Sequence, residues 1–175
     1  MNKKTPFDML DAVTVAHCEN VAKYAVQLAR ILNVNEELVY NASVWHDCGK
    51  SAMLDIITKT GKLTDEEFNA IKTHPEISYQ LINEMYEGPY KEEVAQIALR
   101  HHNRANGTGY PMMAVGAAIT KEMQVVQLAD VFEALTAKRS YKEPFPVNVA
   151  VQMIENGECG YFTDEMKWAL RELVK

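Results

Sequence analysis

The sequence predicts an all-α fold, a compact helical domain of roughly seven to nine helices with one long loop. Three observations predict it. Apolar residues recur at helical spacing through most of the 175-residue chain. No segment alternates apolar and polar residues over the length of a strand. Residues that start helices stand directly before the periodic runs: Asn35, the Thr64–Glu67 pair and Pro75.

In chain order, Leu10, Val13, Thr14, His17, Val21, Tyr24, Ala25, Leu28 and Leu32 share one helix face. A second helix follows the Asn35 cap through Leu38, Ala42, Trp45 and His46, with Gly49 just past its end. The Thr64–Glu67 capping box opens a helix over 65–73. Pro75 starts the next, through Ile77, Leu81, Ile82 and Met85. Residues 90–102 form a helix with Val94, Ile97, Ala98 and His101 on one face. The run 121–139 is apolar on most sides and is expected to be central. Two more helices are expected at 146–156 and 164–174. Between them all, 103–120 is the longest irregular segment, and a loop of that length is usually functional.

Composition sets the outer bounds. At 47% hydrophobic and 24% charged, the chain is globular, and no linker or repeat divides it, so one domain over 1–175 is expected. The net charge of −6, with no lysine–arginine cluster, argues against a DNA or RNA polymer as partner. It leaves room for a small anionic substrate, because a metal and a few local cations outweigh the global balance. Cys18, Cys48 and Cys159 make no CxxC pair, and there is neither a signal sequence nor a membrane-length apolar run. A reduced, cytoplasmic protein with no membrane attachment is the expectation. A homodimer or a separate signalling partner is left open.

The chemistry gathers on ionisable residues at apolar positions. His17, His46 and His101 lie on apolar helix faces, and Asp130 sits between Ala129 and Val131. One core histidine satisfied by a carbonyl would be ordinary; several buried ionisable groups are costly unless paired or metal-bound. His46-Asp47 and His101-His102 are doublets at expected helix ends, where neighbouring side chains can turn to one centre and the helix dipole favours a cation. With His74, all five histidines are accounted for. Together with Asp47 and Asp130 they outnumber the ligands of one tetrahedral metal and suit two metals sharing a carboxylate. Imidazole with carboxylate suits zinc, iron, manganese or nickel better than calcium.

HDCGK (46–50), His74, HHNRANGTGYP (101–111) and the run from Asp130 to RSYK (139–142) resemble the HD-GYP domain, a subgroup of the HD metal-dependent phosphohydrolases. The resemblance extends from His17 to about Phe162. It implies a binuclear centre in which one metal takes His17, His46, Asp47 and Asp130, and the other takes Asp47 as a bridge with His74, His101 and His102. It implies iron or manganese first, zinc or nickel second. It also implies hydrolysis of a cyclic dinucleotide, chiefly cyclic di-GMP, to the linear dinucleotide or mononucleotides by a metal-bridging hydroxide. Asp47 and Lys50 would then be catalytic, and Lys50, Tyr110, Arg139 and Lys142 would contact substrate.

Several positions depart from the family pattern. Trinuclear members carry a glutamate one helical turn before the first histidine; Val13 stands there, which implies two metals. Asn103 and Asn106 replace acids usual around the loop, SAMLD (51–55) replaces the usual segment after the HD motif, and Ser78 replaces a common glycine. These changes touch the substrate side more than the ligands. Other readings are therefore carried: a phosphohydrolase for another nucleotide or phosphoester, a di-iron oxygenase, and a non-catalytic nucleotide-binding signalling module. Cys18 and Cys48 read as packing residues, and Tyr141 reads equally as packing or as a base-stacking ring.

Overall fold

The computed structural model describes residues 5–112, 118–138 and 143–175. Among these residues the elements are a 3-10 turn at Pro6–Asp8, then α1 (Ala12–Leu32), α2 (Glu36–Trp45), a 3-10 segment at Cys48–Met53, α3 (Leu54–Ile57), α4 (Asp65–Ile71), α5 (His74–Met85), α6 (Lys91–Arg100), α7 (Lys121–Thr136), α8 (Val147–Glu155) and α9 (Asp164–Leu173). The all-α expectation is met. The pieces spanning 48–57 are additions, too short to show a period. Arg139, Tyr141 and Lys142 lie outside the described residues.

Helix starts follow side-chain chemistry. Asp11 accepts from the Val13 and Thr14 amides at 3.0 and 3.1 Å and opens α1. Asn35 accepts from the Leu38 amide at 3.0 Å and opens α2. Thr64 and Glu67 close the expected capping box of α4 at 3.2 and 2.8 Å. Thr120 accepts from the Met123 amide at 3.2 Å and opens α7. Asn33 ends α1 in the left-handed region at φ 52°, which asparagine tolerates better than most side chains.

The core surrounds α7, which packs against α1, α2, α6, α8 and α9. Its Met123, Val126, Leu128, Ala129 and Phe132 are buried against Leu28 and Ala25 of α1 and Leu170 of α9 in one cluster. The amide of Gln127 on α7 donates to the Arg100 carbonyl at 2.9 Å and ties down the end of α6. α5 packs on α6 and on the Cys48–Met53 segment. α2 and α6 pack on α7 directly, α5 is carried by α6, and α4 reaches the rest through the Cys48–Met53 segment. Val13 departs from its expected face and is 68% exposed; the packed face of α1 begins at Thr14 and His17. Cys18 and Cys48 are buried, as packing residues would be. No helix among the described residues is long and apolar enough to cross a membrane.

Candidate metal centre

All seven expected ligand residues meet at one place. The described groups that could hold a cation are His74, His101 and His102; His17, His46 and Asp47; and His46, His101 and Asp130, the atoms of each group lying within 4.8 Å of one another. The third group mixes members of the two expected ligand sets, so the seven form one continuous cluster.

Helix ends aim the histidines. The last carbonyls of a helix lack partners within it. His46 Nδ1 donates to the Ser43 carbonyl at the end of α2, at 2.6 Å. His74 Nδ1 donates to the Ile71 carbonyl at the end of α4, also at 2.6 Å. His101 Nδ1 donates to the Ala98 carbonyl at the end of α6, again at 2.6 Å. A carbonyl can only accept, so each ring carries its proton on Nδ1 and, when neutral, turns an unprotonated Nε2 to the centre. One sequence device, a histidine three residues beyond a helix-end carbonyl, thus orients three imidazoles.

Asp47 lies at the middle. Its Oδ1 is 3.1 Å from His74 Nε2 and 3.7 Å from His101 Nε2. Its Oδ2 is 3.4 Å from His46 Nε2, 3.6 Å from His17 Nε2 and 2.6 Å from Lys50 Nζ. Burial pushes the Asp47 carboxyl up, but the charges of Lys50 and His46 hold it well below the usual carboxylate range. Burial also opposes ionisation of Asp130, and the hydrogen bond and charge of His17 outweigh it, so that Asp130 stays ionised. Burial and the charges of its neighbouring histidines hold His101 well below the usual imidazole range. Burial pushes His102 down to about 3. These two rings are neutral at physiological pH and free to coordinate.

The donor set fits a divalent metal. His46 Nε2 and Asp47 Oδ1 are buried without a hydrogen-bond partner, although buried polar atoms are normally satisfied. Neutral imidazole nitrogens around carboxylates are ligands of transition metals.

Glu133 was not singled out in the sequence. It is buried on α7, one turn beyond Asp130, and its carboxylate accepts from His17 Nδ1. His17 Nε2 then faces Asp130 Oδ1 at 3.1 Å. A carboxylate behind a ligating histidine fixes its ring and raises its basicity. The signal was present as an acid three residues after Asp130 in an otherwise apolar helix.

Beside the cluster lies a cleft of about 290 Å³. His17, Lys50, His102 and Asp130 line its polar wall, and Val131, Ala134 and Leu135 its apolar wall. The Tyr110 ring stacks on His102, centroids 4.5 Å apart at 27°. The loop that carries Tyr110 is closed on itself. Asn103 Nδ2 donates to the Pro111 carbonyl at 2.7 Å, and Asn106 Oδ1 accepts from the Thr108 amide and hydroxyl at 3.2 and 2.8 Å. Both asparagines therefore do the loop-shaping work left to them when acids are absent. Gly109, at φ 104°, passes so close to the His102 carbonyl that a Cβ would lie 2.0 Å from its oxygen. Ser78 Oγ accepts from the Gly49 amide at 2.8 Å and anchors the HD turn to α5.

The family described as HD domain matches residues 5–162. Over 145 residues the chain is 40% identical to the cyclic di-GMP phosphodiesterase response regulator RpfG of Xanthomonas campestris, covering 81% of this chain and 38% of that protein. It is 34% identical over 154 residues to 3'3'-cGAMP-specific phosphodiesterase 2 of Vibrio cholerae, covering 82% and 29%. The chain thus spans well under half the length of these curated relatives. Its fold is similar to that of the HD domain of the L. monocytogenes phosphodiesterase PgpH, with a TM-score of 0.73 at 20% identity over 97% of this chain and 93% of that one.

Proposed function

The chain belongs to the HD domain family, and from that premise we propose that it is a binuclear metal-dependent phosphodiesterase that opens a cyclic dinucleotide, cyclic di-GMP first, to the linear dinucleotide or on to mononucleotides. The observation that carries the reading is the position of Asp47. Its two oxygens face different histidines, Oδ1 toward His74 and His101, Oδ2 toward His46 and His17. That arrangement suits a carboxylate that two metals would share.

When bound, the metals would supply a hydroxide nucleophile at neutral pH and neutralise the phosphoryl charge. His17, His46, Asp47 and Asp130 would hold one, and Asp47, His74, His101 and His102 the other. Iron or manganese suits this set, with zinc or nickel as alternatives. The chain's own residues do the rest. Lys50, on the polar wall of the cleft, offers its ammonium to a non-bridging phosphate oxygen as charge builds there. Tyr110 presents a flat ring beside His102 on the substrate side. Arg139 and Lys142, outside the described residues, are proposed as further phosphate contacts.

A second reading, turnover of 3'3'-cGAMP, is favoured by the relatives of that specificity. Both are tested together. The protein is loaded with iron or with manganese and incubated with each cyclic dinucleotide, and the products are separated by chromatography. Linear product from cyclic di-GMP supports the first reading, and product from 3'3'-cGAMP alone supports the second. No product from either, with both metals tried, contradicts the function.

A further inference from the structure

Among the described residues, Arg104 is the buried charged side chain that the metal cluster does not use; it is 8% exposed. Burying a guanidinium is costly unless its donors are well used. Here Nη1 donates to the His101 carbonyl at 3.2 Å and to the Asn103 carbonyl at 2.8 Å, while Nε is buried without a hydrogen-bond partner. These carbonyls follow the end of α6, where helix geometry leaves acceptors free. The Arg104 main chain grips the loop as well. Its amide donates to the Thr108 carbonyl at 2.8 Å, and its carbonyl accepts from the Gly107 amide at 2.9 Å.

The far side of the guanidinium rests on another part of the chain. Its carbon lies 5.2 Å from the centre of the Phe162 ring, in the connection between α8 and α9. Gly160 passes beside it at φ 96°, and a Cβ there would lie 2.8 Å from Arg104 Nε. Only glycine lets this connection approach so closely without strain. Arg104 therefore joins three parts: the carbonyls beside the histidine doublet, the turn that leads to Tyr110, and the 160–162 segment.

We propose that Arg104 is a positioning residue that locks the loop 103–111 to the connection between α8 and α9, and so keeps Tyr110 over His102. A residue that only filled space there would be replaced by an apolar side chain without consequence for the loop. The consequence for catalysis rests on the phosphodiesterase reading; the consequence for the loop does not.

The experiment compares wild-type protein with Arg104→Met, which keeps the stem and loses the donors, and Gly160→Ala, which disturbs Arg104 from a distant part of the chain. Amide hydrogen exchange at Gly107 and Thr108 is measured without substrate. Both variants are expected to exchange there at least about tenfold faster, with α1 and α7 unchanged. Steady-state kinetics on cyclic di-GMP are expected to show KM raised about tenfold and kcat changed far less. Exchange at Gly107 and Thr108 within about twofold of wild type in the variants that fold would overturn the proposal. So would faster exchange spread equally through every helix. If Arg104→Met does not fold, Gly160→Ala, which retains the arginine, decides by the same criteria. Absence of turnover in the wild type would count against the phosphodiesterase reading and leave the exchange result to stand alone.

Discussion

The Nε2 atoms of His74 and His101 lie 3.1 Å apart, while each ring gives its Nδ1 proton to a helix-end carbonyl. His101 is held neutral by burial and by its histidine neighbours, so its Nε2 presents a lone pair. Such a contact is repulsive unless a proton or a metal cation lies between the two nitrogens. His101→Phe removes that demand and keeps a ring of similar size. It is expected to leave the metal-free protein as stable or about 1–3 kcal/mol more stable, by relieving a poorly satisfied buried group. The same variant is expected to bind one metal where the wild type binds two. Denaturant unfolding and elemental analysis check the two halves.

Glu133 is expected to act on metal through His17, whose Nδ1 it faces. Glu133→Ala leaves His17 Nδ1 without its acceptor and is expected to weaken metal binding about 10- to 100-fold. Glu133→Gln keeps an acceptor oxygen but not the charge, and is expected to fall between. Competition against a chelator of known affinity measures this directly. Equal affinity in all three proteins would leave Glu133 without a role at the centre.

His102 gives the metal-free protein a defined pH dependence. Its pKa is about 3 in the folded protein, pushed down by burial, against an ordinary value of 6.5. A group lowered on folding contributes stability above its unfolded pKa and loses it as pH falls toward the folded one. The contribution is complete above pH 6.5 and fades below it, at a slope approaching about 1.4 kcal/mol per pH unit. His102→Asn is expected to remove one such slope between pH 6 and about pH 4. Urea midpoints of the chelated protein at several pH values test it, and parallel curves for the two proteins would refute it.

Lys50 is expected to serve the substrate rather than the metals. Lys50→Met should lower kcat about 100-fold, the scale of losing one group aimed at developing charge. Metal content should stay at the wild-type level. A loss of metal equal to the loss of rate would mean that the 2.6 Å contact with Asp47 is what matters about this lysine.

Much of this was legible in the sequence because the expected ligands break local rules. His17 and Asp130 occupy apolar helix faces, and His46-Asp47 and His101-His102 stand where helices stop. Caps at Asn35 and Thr64 and the period of apolar residues set most helix boundaries to within a few residues. The 3-10 segment Cys48–Met53 was not legible, because six residues are too few to show a period. The role of Glu133 was not legible, because an acid three residues after Asp130 can as easily face solvent; only the packing of α1 on α7 brings it to His17. The setting of Arg104 was not legible either, since nothing near it in sequence points to Gly160 and Phe162.

The central claim is that Asp47 is shared by two metals, and one measurement reaches it most directly: metals bound per chain, by elemental analysis of protein loaded anaerobically with iron, for the wild type and for Asp47→Ala. The account predicts two in the wild type and at most one, weakly held, in the variant. A single metal in the wild type, or two retained in Asp47→Ala, would contradict it.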